Sequence, residues 1–303
     1  MAGFGCPPRS HSTHKGQPVI IDAGPNTGLT SLHRARVFQS SIKLEEALKR
    51  PDLELGPPPA FSASHGRMNP HGVSVFYGAT SATVALAEVR PPVGSDVVVG
   101  RFEIIRHIRL LDIQALRQLN VEGSIFDRAY LERRQKAKFL GWLSRRITQP
   151  VLPNDEPFEY LPTQAIADFL ATRTDLELDG IIYPSVQGAK GSANVVLFHK
   201  ASRVRSLDIP DGTEIEVYSH HYTEEGAETD YSVYETVPSD SEIKNSKIID
   251  PLLGIPIYGG IPQEGDDREI TLAIDVEALE VRHVRQVEYR TEDHEVSRQR
   301  IKR

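Results

Sequence analysis

The chain has 303 residues, of which 39% are hydrophobic and 25% charged, so it can bury a substantial core. No stretch approaches 18 uninterrupted apolar residues, and we expect no membrane span. The net charge of −7 argues against a direct nucleic-acid partner. A single cysteine, Cys6, excludes an internal disulfide. The N-terminus lacks the apolar segment of a secretion signal. Together with the low cysteine content, this indicates a reducing, cytoplasmic setting.

The N-terminal segment, 1–29, is rich in Gly, Pro, Ser and His and shows no sustained period, so we expect a flexible arm. Apolar alternation predicts a strand at 32–38, and a helical turn follows at 44–48. Consecutive prolines stiffen the loop at 56–59. The next loop, 64–72, holds two glycines, a proline and an asparagine, and it must turn sharply.

The middle of the chain alternates between strand and helix patterns. Residues 73–77 alternate as a strand, and a Thr or Ser then caps a helix over 80–89 that two prolines stop. The stretch 97–113 is rich in β-branched residues and predicts two strands or one bulged strand. A long helix is predicted over 124–148 and a second one over 163–171.

The last part of the chain predicts strands at 180–183 and 194–200, with a glycine-rich loop between them. We place a domain boundary near Asp208. The main domain is expected to span 30–207. The segment 208–303 is an acidic, partly β C-terminal extension.

We expect no metal site, because the histidines lie in polar stretches without companion carboxylate or cysteine ligands. They are His11, His14, His220 and His221. The loop 187–192 is read as a hairpin turn, and a loop whose backbone N–H groups hold a phosphate is the alternative.

Glu88 is the first charged residue of its helix, which is otherwise built from small and apolar side chains. At helical spacing it shares a face with Ser81, Val84 and Ala85. We therefore expect its carboxylate to point into a partly buried region, where it needs hydrogen bonds or a cation. The alternative without catalysis is an exposed helix-end residue or a structural salt bridge.

Two arginines of the first strand, Arg34 and Arg36, fall on one face because strand side chains alternate. Two guanidinium groups at this spacing form a suitable fork for a diphosphate or for free phosphate. An edge strand with solvated arginines fits the pattern equally well. Arg67, in a tight turn, is a third candidate. Ser185 ends a strand, but without a partnered His or a nucleophile elbow it does not indicate a serine hydrolase.

Six segments in this order resemble the RES domain, a family named for Arg, Glu and Ser. They cover about residues 30 to 206, and each is weak singly. They are Leu-His-Arg-Ala-Arg (32–36), Gly-Arg-Met-Asn-Pro-His-Gly (66–72), Val-Phe-Tyr-Gly-Ala-Thr (75–80), Thr-Val-Ala-Leu-Ala-Glu-Val-Arg (83–90), Asp-Gly-Ile-Ile-Tyr-Pro-Ser (179–185) and Asn-Val-Val-Leu-Phe (194–198).

The resemblance implies an α+β fold for residues 30–207, with a compact mixed core similar to that of the diphtheria-toxin-like ADP-ribosyltransferases. It also implies an enzyme that consumes NAD⁺ as its substrate. Inorganic phosphate is a possible co-substrate, and no further cofactor is implied. Carried over by position, the catalytic residues would be Arg34, Tyr77, Glu88 and Ser185. The residues expected to contact NAD⁺ or phosphate would be Arg36, Arg67, Asn69 and Asn194.

Many members of this family are bacterial toxins paired with an Xre-type antitoxin, so the resemblance implies such a partner and permits a homo-oligomer. The extra hundred C-terminal residues depart from a typical RES toxin. Two other functions stay open. One is transfer of ADP-ribose to a protein, and the other is a non-catalytic interaction module.

Overall fold

The structure is a computed structural model, and it describes residues 18–119, 121, 123–124, 126–149, 151–185, 187, 191–223, 226–238, 266–288 and 291–300. Cys6, His11 and His14 lie outside these ranges. So does half of the glycine-rich loop 187–192, namely 188–190.

The chain forms twelve described strands and six described α-helices, together with short 3₁₀ turns such as Ala115–Gln118. The strands are β1 (Ile20–Ala23), β2 (Ser31–Phe38), β3 (Phe76–Ala79), β4 (Asp96–Ile104), β5 (Ile108–Asp112), β6 (Gly180–Pro184), β7 (Ala193–Leu197), β8 (Glu214–Tyr218), β9 (His221–Thr223), β10 (Gly226–Glu228), β11 (Ser232–Thr236) and β12 (Leu272–His283). The helices are α1 (Ser41–Lys49), α2 (Pro51–Glu54), α3 (Ala82–Glu88), α4 (Arg128–Thr148), α5 (Glu156–Glu159) and α6 (Leu161–Thr172).

Eight of the strands form one central sheet in the order β1-β5-β6-β7-β3-β2-β4-β12. Neighbouring strands run antiparallel throughout, except that β5 and β6 are parallel. Two further antiparallel pairs, β8 with β11 and β9 with β10, stand apart from this sheet. A mostly antiparallel sheet flanked by helices confirms the expected α+β class.

The two faces of the central sheet carry different layers. Because side chains alternate along a strand, Tyr77 faces opposite to its neighbour Phe76. Across the strands Ala79 pairs with Asn194, which in turn pairs with Tyr183. We call the face with Tyr77, Asn194 and Tyr183 the front face, and the face with Phe76 the rear face.

Each face packs against its own helices. On the rear face, Phe76 belongs to a core cluster with Leu44 and Leu48 of α1 and Leu55 after α2. On the front face α4 and α6 bury residues such as Ile147 against the sheet, and α3 covers the part of β2 and β4 next to them.

Most of the predicted elements are confirmed with shifts of a few residues at their ends. The strand predicted at 73–77 begins later, because backbone pairing with β7 starts only at Phe76. The arm predicted for 1–29 is wrong at β1, where Ile20 and Ile21 pair with Leu111 and Leu110 of β5. Burial of apolar side chains in this strand is favourable, and an unpacked arm would leave them in water.

The C-terminal extension also enters the main sheet. Its strand β12 pairs with β4 along most of the length of both strands, with a register shift between Asp275 and Glu280. The segment after Asp208 therefore completes the central sheet at its outer edge. No helix among the described residues is long and apolar enough to cross a membrane.

Gly180 marks the tightest point of this sheet. A Cβ atom at this position would lie 2.3 Å from the carbonyl oxygen of Val196, which is backbone and cannot swing away. We expect Gly180→Ala to lower the free energy of unfolding by about 1–3 kcal/mol, as overpacking does. Gly141 on α4 has open space around it, so Gly141→Ala is the control and should be neutral or stabilising by up to about 1 kcal/mol. Urea titration measures both, and equal values would contradict the steric account.

Candidate functional site

Glu88 accepts two side-chain hydrogen bonds on one carboxylate oxygen. The Ser185 hydroxyl donates to Oε1 at 2.6 Å, and Nδ2 of Asn194 donates to the same atom at 2.8 Å. The backbone N–H of Gln187 in turn donates to the Ser185 hydroxyl at 3.1 Å. Bonds to an ionised acceptor are the strong ones, so this chain of donors fixes the direction in which the carboxylate points.

Helix α3 brings Glu88 to this position. Its N-cap, Ser81, accepts from the backbone N–H of Val84 at 3.4 Å, and Val84 and Ala85 are buried against the sheet. Glu88 itself is exposed, so the expectation of a partly buried carboxylate is wrong. The carboxylate lies at the surface because α3 ends there, and a ligand can reach it.

Tyr77 is anchored by its hydroxyl group. This hydroxyl accepts from the backbone N–H of Met68 at 3.0 Å and donates to Oδ1 of Asn69 at 2.8 Å. The amide nitrogen of Asn69 donates to the carbonyl oxygens of Ser64, Pro70 and Val73. The side chain of Asn69 is therefore fully engaged with its own loop, and it positions Tyr77 rather than facing a ligand.

Arg67 joins the same loop to the helices of the front face. Its Nη1 donates to the carbonyl oxygens of Ile147 and Gln149, each at 2.8 Å, at the C-terminal end of α4. A cation is favoured at that end of a helix. The guanidinium also lies 5.1 Å from the ring centroid of Tyr160. On α6, Thr163 donates to the carbonyl oxygen of Arg67 at 2.6 Å and so holds the loop from the other side.

Electrostatics place these groups in one neighbourhood. Burial raises the pKa of Tyr183, and the charges of Tyr77 and Glu88 raise it further, while Arg67 opposes them. Burial also raises the pKa of Tyr77, against the effects of the Met68 N–H group and of the charges of Arg67 and Arg34. Arg67, Glu88, Tyr77 and Tyr183 thus lie close enough to influence one another, and Arg34 acts on Tyr77 from the rear face. We call Glu88, Ser185, Asn194, Tyr77, Tyr183 and Arg67 the Glu88 cluster.

The structure places Arg34 on the rear face of the sheet. Its guanidinium lies 5.2 Å from the ring centroid of Phe76, and its strand partner is Gly100. Burial and the neighbouring Arg36 lower the pKa of Arg34 to about 10, and its Nη1 is buried without a hydrogen-bond partner among the described residues. Alternation along β2 thus turns Arg34 to the face opposite Tyr77, although its charge still acts on the Tyr77 hydroxyl, and its role in a site with Glu88 stays a prediction.

Arg36 shares the rear face with Arg34, as the sequence predicts, but it serves a structural contact. Its Nη1 donates to Oε2 of Glu54 at 2.5 Å and to the carbonyl oxygen of the same residue at 2.7 Å. It is exposed and lies away from the Glu88 cluster, so it is not placed to contact a ligand there. The β2 residue that does face the front beside Ala79 is His33.

Sequence reasoning missed three residues near the site. Tyr183 has a signal, since it alternates with Ile181 on a strand, but it was not given a role. His33 carries a buried Nδ1 that has no hydrogen-bond partner in the part of the chain that the structure describes, and burial lowers its pKa. Nothing in the sequence marks Tyr160, because its approach to Arg67 joins residues ninety-three positions apart. The described residues contain no group of His, Cys, Asp and Glu that could hold a metal ion.

The fold and the site together define an α+β protein with one accessible, hydrogen-bonded carboxylate next to tyrosines and an arginine. The model of the RES domain matches residues 36–219, which is more than half of the chain. The chain therefore belongs to the RES domain family. The match begins two residues after Arg34, so that arginine lies outside it. No match to a curated protein is found.

One nitrogen of the half-buried Arg34 leads to a stability prediction, since its Nη1 is buried without a hydrogen-bond partner among the described residues. A buried donor that finds no acceptor costs free energy, and replacement of a buried charged group by an apolar side chain of similar volume is often neutral or stabilising. We expect Arg34→Met to leave the free energy of unfolding unchanged or to raise it by about 1–4 kcal/mol. Arg67→Met should lower it by about 1–3 kcal/mol, since two carbonyl oxygens lose their donor. Urea titrations measure both free energies of unfolding. If Arg34→Met destabilised the protein more than Arg67→Met, Arg34 would have a hydrogen-bond partner in the folded protein.

The raised pKa of Tyr183 predicts how stability depends on pH. Above the ordinary tyrosine pKa of about 10, the unfolded chain loses this proton while the folded protein keeps it. Stability conferred by the neutral hydroxyl is therefore present below pH 10 and falls above it, by about 1.4 kcal/mol per pH unit. Tyr183→Phe removes this contribution, so its unfolding free energy should fall less steeply above pH 10. Parallel curves for the two proteins would contradict the prediction.

Proposed function

We propose that this protein cleaves the bond between nicotinamide and ribose in NAD⁺, with Glu88 as the catalytic carboxylate. The observation that carries the proposal is the geometry of that group. Both side-chain donors bond to Oε1, and Oε2 accepts no hydrogen bond from the described part of the chain. An exposed carboxylate held in one orientation, with one oxygen available, is suited to accept hydrogen bonds from the hydroxyl groups of a ribose.

The reaction suits a single carboxylate. The C–N bond breaks with its electron pair going to the nicotinamide nitrogen, so a cationic ring leaves as a neutral base and needs no general acid. The paired carboxylates of ordinary glycosidases are therefore unnecessary. What remains to be stabilised is the positive charge that develops on the ribose, and a fixed negative group does so without reorganising during the reaction.

The other members of the Glu88 cluster fit the remaining parts of the substrate. The ring of Tyr77, or of its front-face neighbour Tyr183, would pack on the nicotinamide, which is aromatic and cationic until it leaves. Arg67 takes the role that the sequence assigned to Arg34, as the cation for a diphosphate or an attacking phosphate. Ser185 and Asn194 act as positioning residues, because their contacts are with Glu88 itself.

The acceptor and the biological setting belong to the same proposal. A phosphate oxygen that attacks C1 of the ribose gives ADP-ribose 1-phosphate, and water gives ADP-ribose. Membership of the RES family supports a role linked to NAD⁺ and a toxin function. We propose on that basis an Xre-type antitoxin as the protein partner.

Replacement of the carboxylate provides the direct test. Gln at position 88 keeps an oxygen for the Ser185 and Asn194 donors, so Glu88→Gln should fold normally. It should lose about 10²–10³ in turnover, as when one group that stabilises the transition state is removed. Glu214→Gln, on the exposed start of β8, removes the same charge away from the site and is the matched control. Full NAD⁺ turnover in Glu88→Gln, measured by release of nicotinamide, would overturn the assignment.

The same assay separates the possible reactions when NAD⁺ is supplied with and without phosphate. Loss of NAD⁺ that requires phosphate identifies phosphorolysis, and loss without phosphate identifies hydrolysis. Labelled ADP-ribose on an added protein would indicate transfer. The absence of any loss with the folded wild-type protein would contradict the enzyme proposal and leave an interaction module.

A further inference from the structure

Tyr183 lies between the two side chains that donate to Glu88, and no step of the proposed reaction uses its hydroxyl group. On the sheet Tyr183 pairs directly with Asn194. Directly opposed residues of an antiparallel pair have their Cβ atoms about 4.5–5.5 Å apart. Ser185 follows two residues later, and its backbone N–H donates to the carbonyl oxygen of Ser192 at 3.0 Å, which extends the pairing of β6 with β7. Since strand side chains alternate, Ser185 shares the front face with Tyr183.

The hydroxyl of Tyr183 makes no hydrogen bond to any described residue. The side chain is only half-buried, and its oxygen is not among the enclosed polar atoms, so a ligand can reach it. Tyr77, its neighbour on the front face, differs in this respect, because its hydroxyl is bonded to Met68 and Asn69. Of these two tyrosines, Tyr183 is therefore the one whose hydroxyl can bind a substrate.

This hydroxyl stays protonated at physiological pH. Burial raises the pKa of Tyr183, and Tyr77 and Glu88 raise it further, against the effect of Arg67. A neutral phenol can both donate and accept a hydrogen bond, whereas an ionised carboxylate only accepts.

Glu88 and Tyr183 influence each other electrostatically, yet no hydrogen bond joins them. A ligand that bridges the two groups must offer a donor to the carboxylate and a second polar group to the phenol. A vicinal diol meets both requirements. The 2′- and 3′-hydroxyl groups of a ribose lie on neighbouring carbons and on the same side of the ring, and each of them can donate and accept. A single hydroxyl group would leave either the carboxylate or the phenol to water.

We propose that Oη of Tyr183 and Oε2 of Glu88 together bind the 2′,3′-diol of the ribose next to nicotinamide, so that Tyr183 selects ribose over deoxyribose. We call this pair of atoms the diol clamp. The inference rests on the proposed NAD⁺ cleavage and adds a specificity-determining residue to it. A site that hydrogen-bonds a substrate hydroxyl rejects the analogue without it, because its own polar group is left unpaired. Holding both hydroxyls also orients the ribose ring against the carboxylate.

A double-mutant cycle between protein and substrate tests the diol clamp. Tyr183→Phe keeps the ring and removes only the hydroxyl. Analogues of NAD⁺ that carry a 2′-deoxy or a 3′-deoxy nicotinamide ribose each remove one substrate hydroxyl. With NAD⁺ the variant should lower kcat/KM by roughly 3–10-fold, the effect of one neutral hydrogen bond. With one of the two analogues the variant and the wild type should differ by less than about twofold, because the partner of the phenol is already missing.

Tyr218→Phe is the matched control. Tyr218 is exposed on β8, which stands apart from the central sheet, and its hydroxyl donates to Glu216 at 2.9 Å. This variant should change kcat/KM for all three substrates by less than about twofold. Calorimetric titration with ADP-ribose, which carries the same diol, adds a measurement that does not depend on turnover. The affinity for ADP-ribose should fall by roughly 3–10-fold in Tyr183→Phe and stay unchanged in Tyr218→Phe.

The possible results separate this inference from the proposed function. A loss with NAD⁺ that disappears with one deoxy analogue supports the diol clamp. An equal loss with NAD⁺ and with both analogues would overturn it, since the hydroxyl would then act elsewhere. Unchanged kinetics in Tyr183→Phe would also overturn it, while NAD⁺ cleavage by the wild type would leave the proposed function in place. If the folded wild type does not cleave NAD⁺, the proposed function fails and calorimetry decides the diol clamp. It is then overturned unless ADP-ribose binds the wild type and binds Tyr183→Phe more weakly.

Discussion

The alternation of side chains across the central sheet is the constraint on which the site depends. Continuous pairing from β6 through β7 to β3 places Tyr183, Asn194 and Tyr77 on the same face. Helix α3 then delivers Glu88 to that face, where Asn194 and Ser185 donate to it. A slip of one residue in any of these strands would turn every side chain over and take the site apart.

Local patterns in the sequence were sufficient for most elements. The apolar period of α4, the cap at Ser81 and the alternation in β2 each depend on residues that are close in the chain, so their outcome could be predicted. The α+β class followed from the family resemblance. The strand β1 could not be anticipated in the same way, because a four-residue run becomes a strand only when β5 offers it a partner.

The sequence also predicted which residue types form the site, but it did not predict on which face of the sheet each side chain lies. The pairing of Glu88 with Ser185 joins residues ninety-seven positions apart, and it followed only from the family resemblance. Arg34 shows the limit of that reasoning. The two-residue spacing correctly placed Arg34 and Arg36 on the same face of a strand. The local sequence, however, does not show which face of that strand packs against α3. The register with β3 decides this, and it turns His33 rather than Arg34 toward the front.

The C-terminal strand β12 has a consequence for how this chain meets other chains. The family match ends at residue 219, well before β12 begins. Without that strand, β4 would present its unpaired backbone groups to solvent along a run of three valines. Such an exposed apolar border invites other chains to add to it. By pairing with β4, strand β12 thus removes an edge that would otherwise be open to edge-to-edge association.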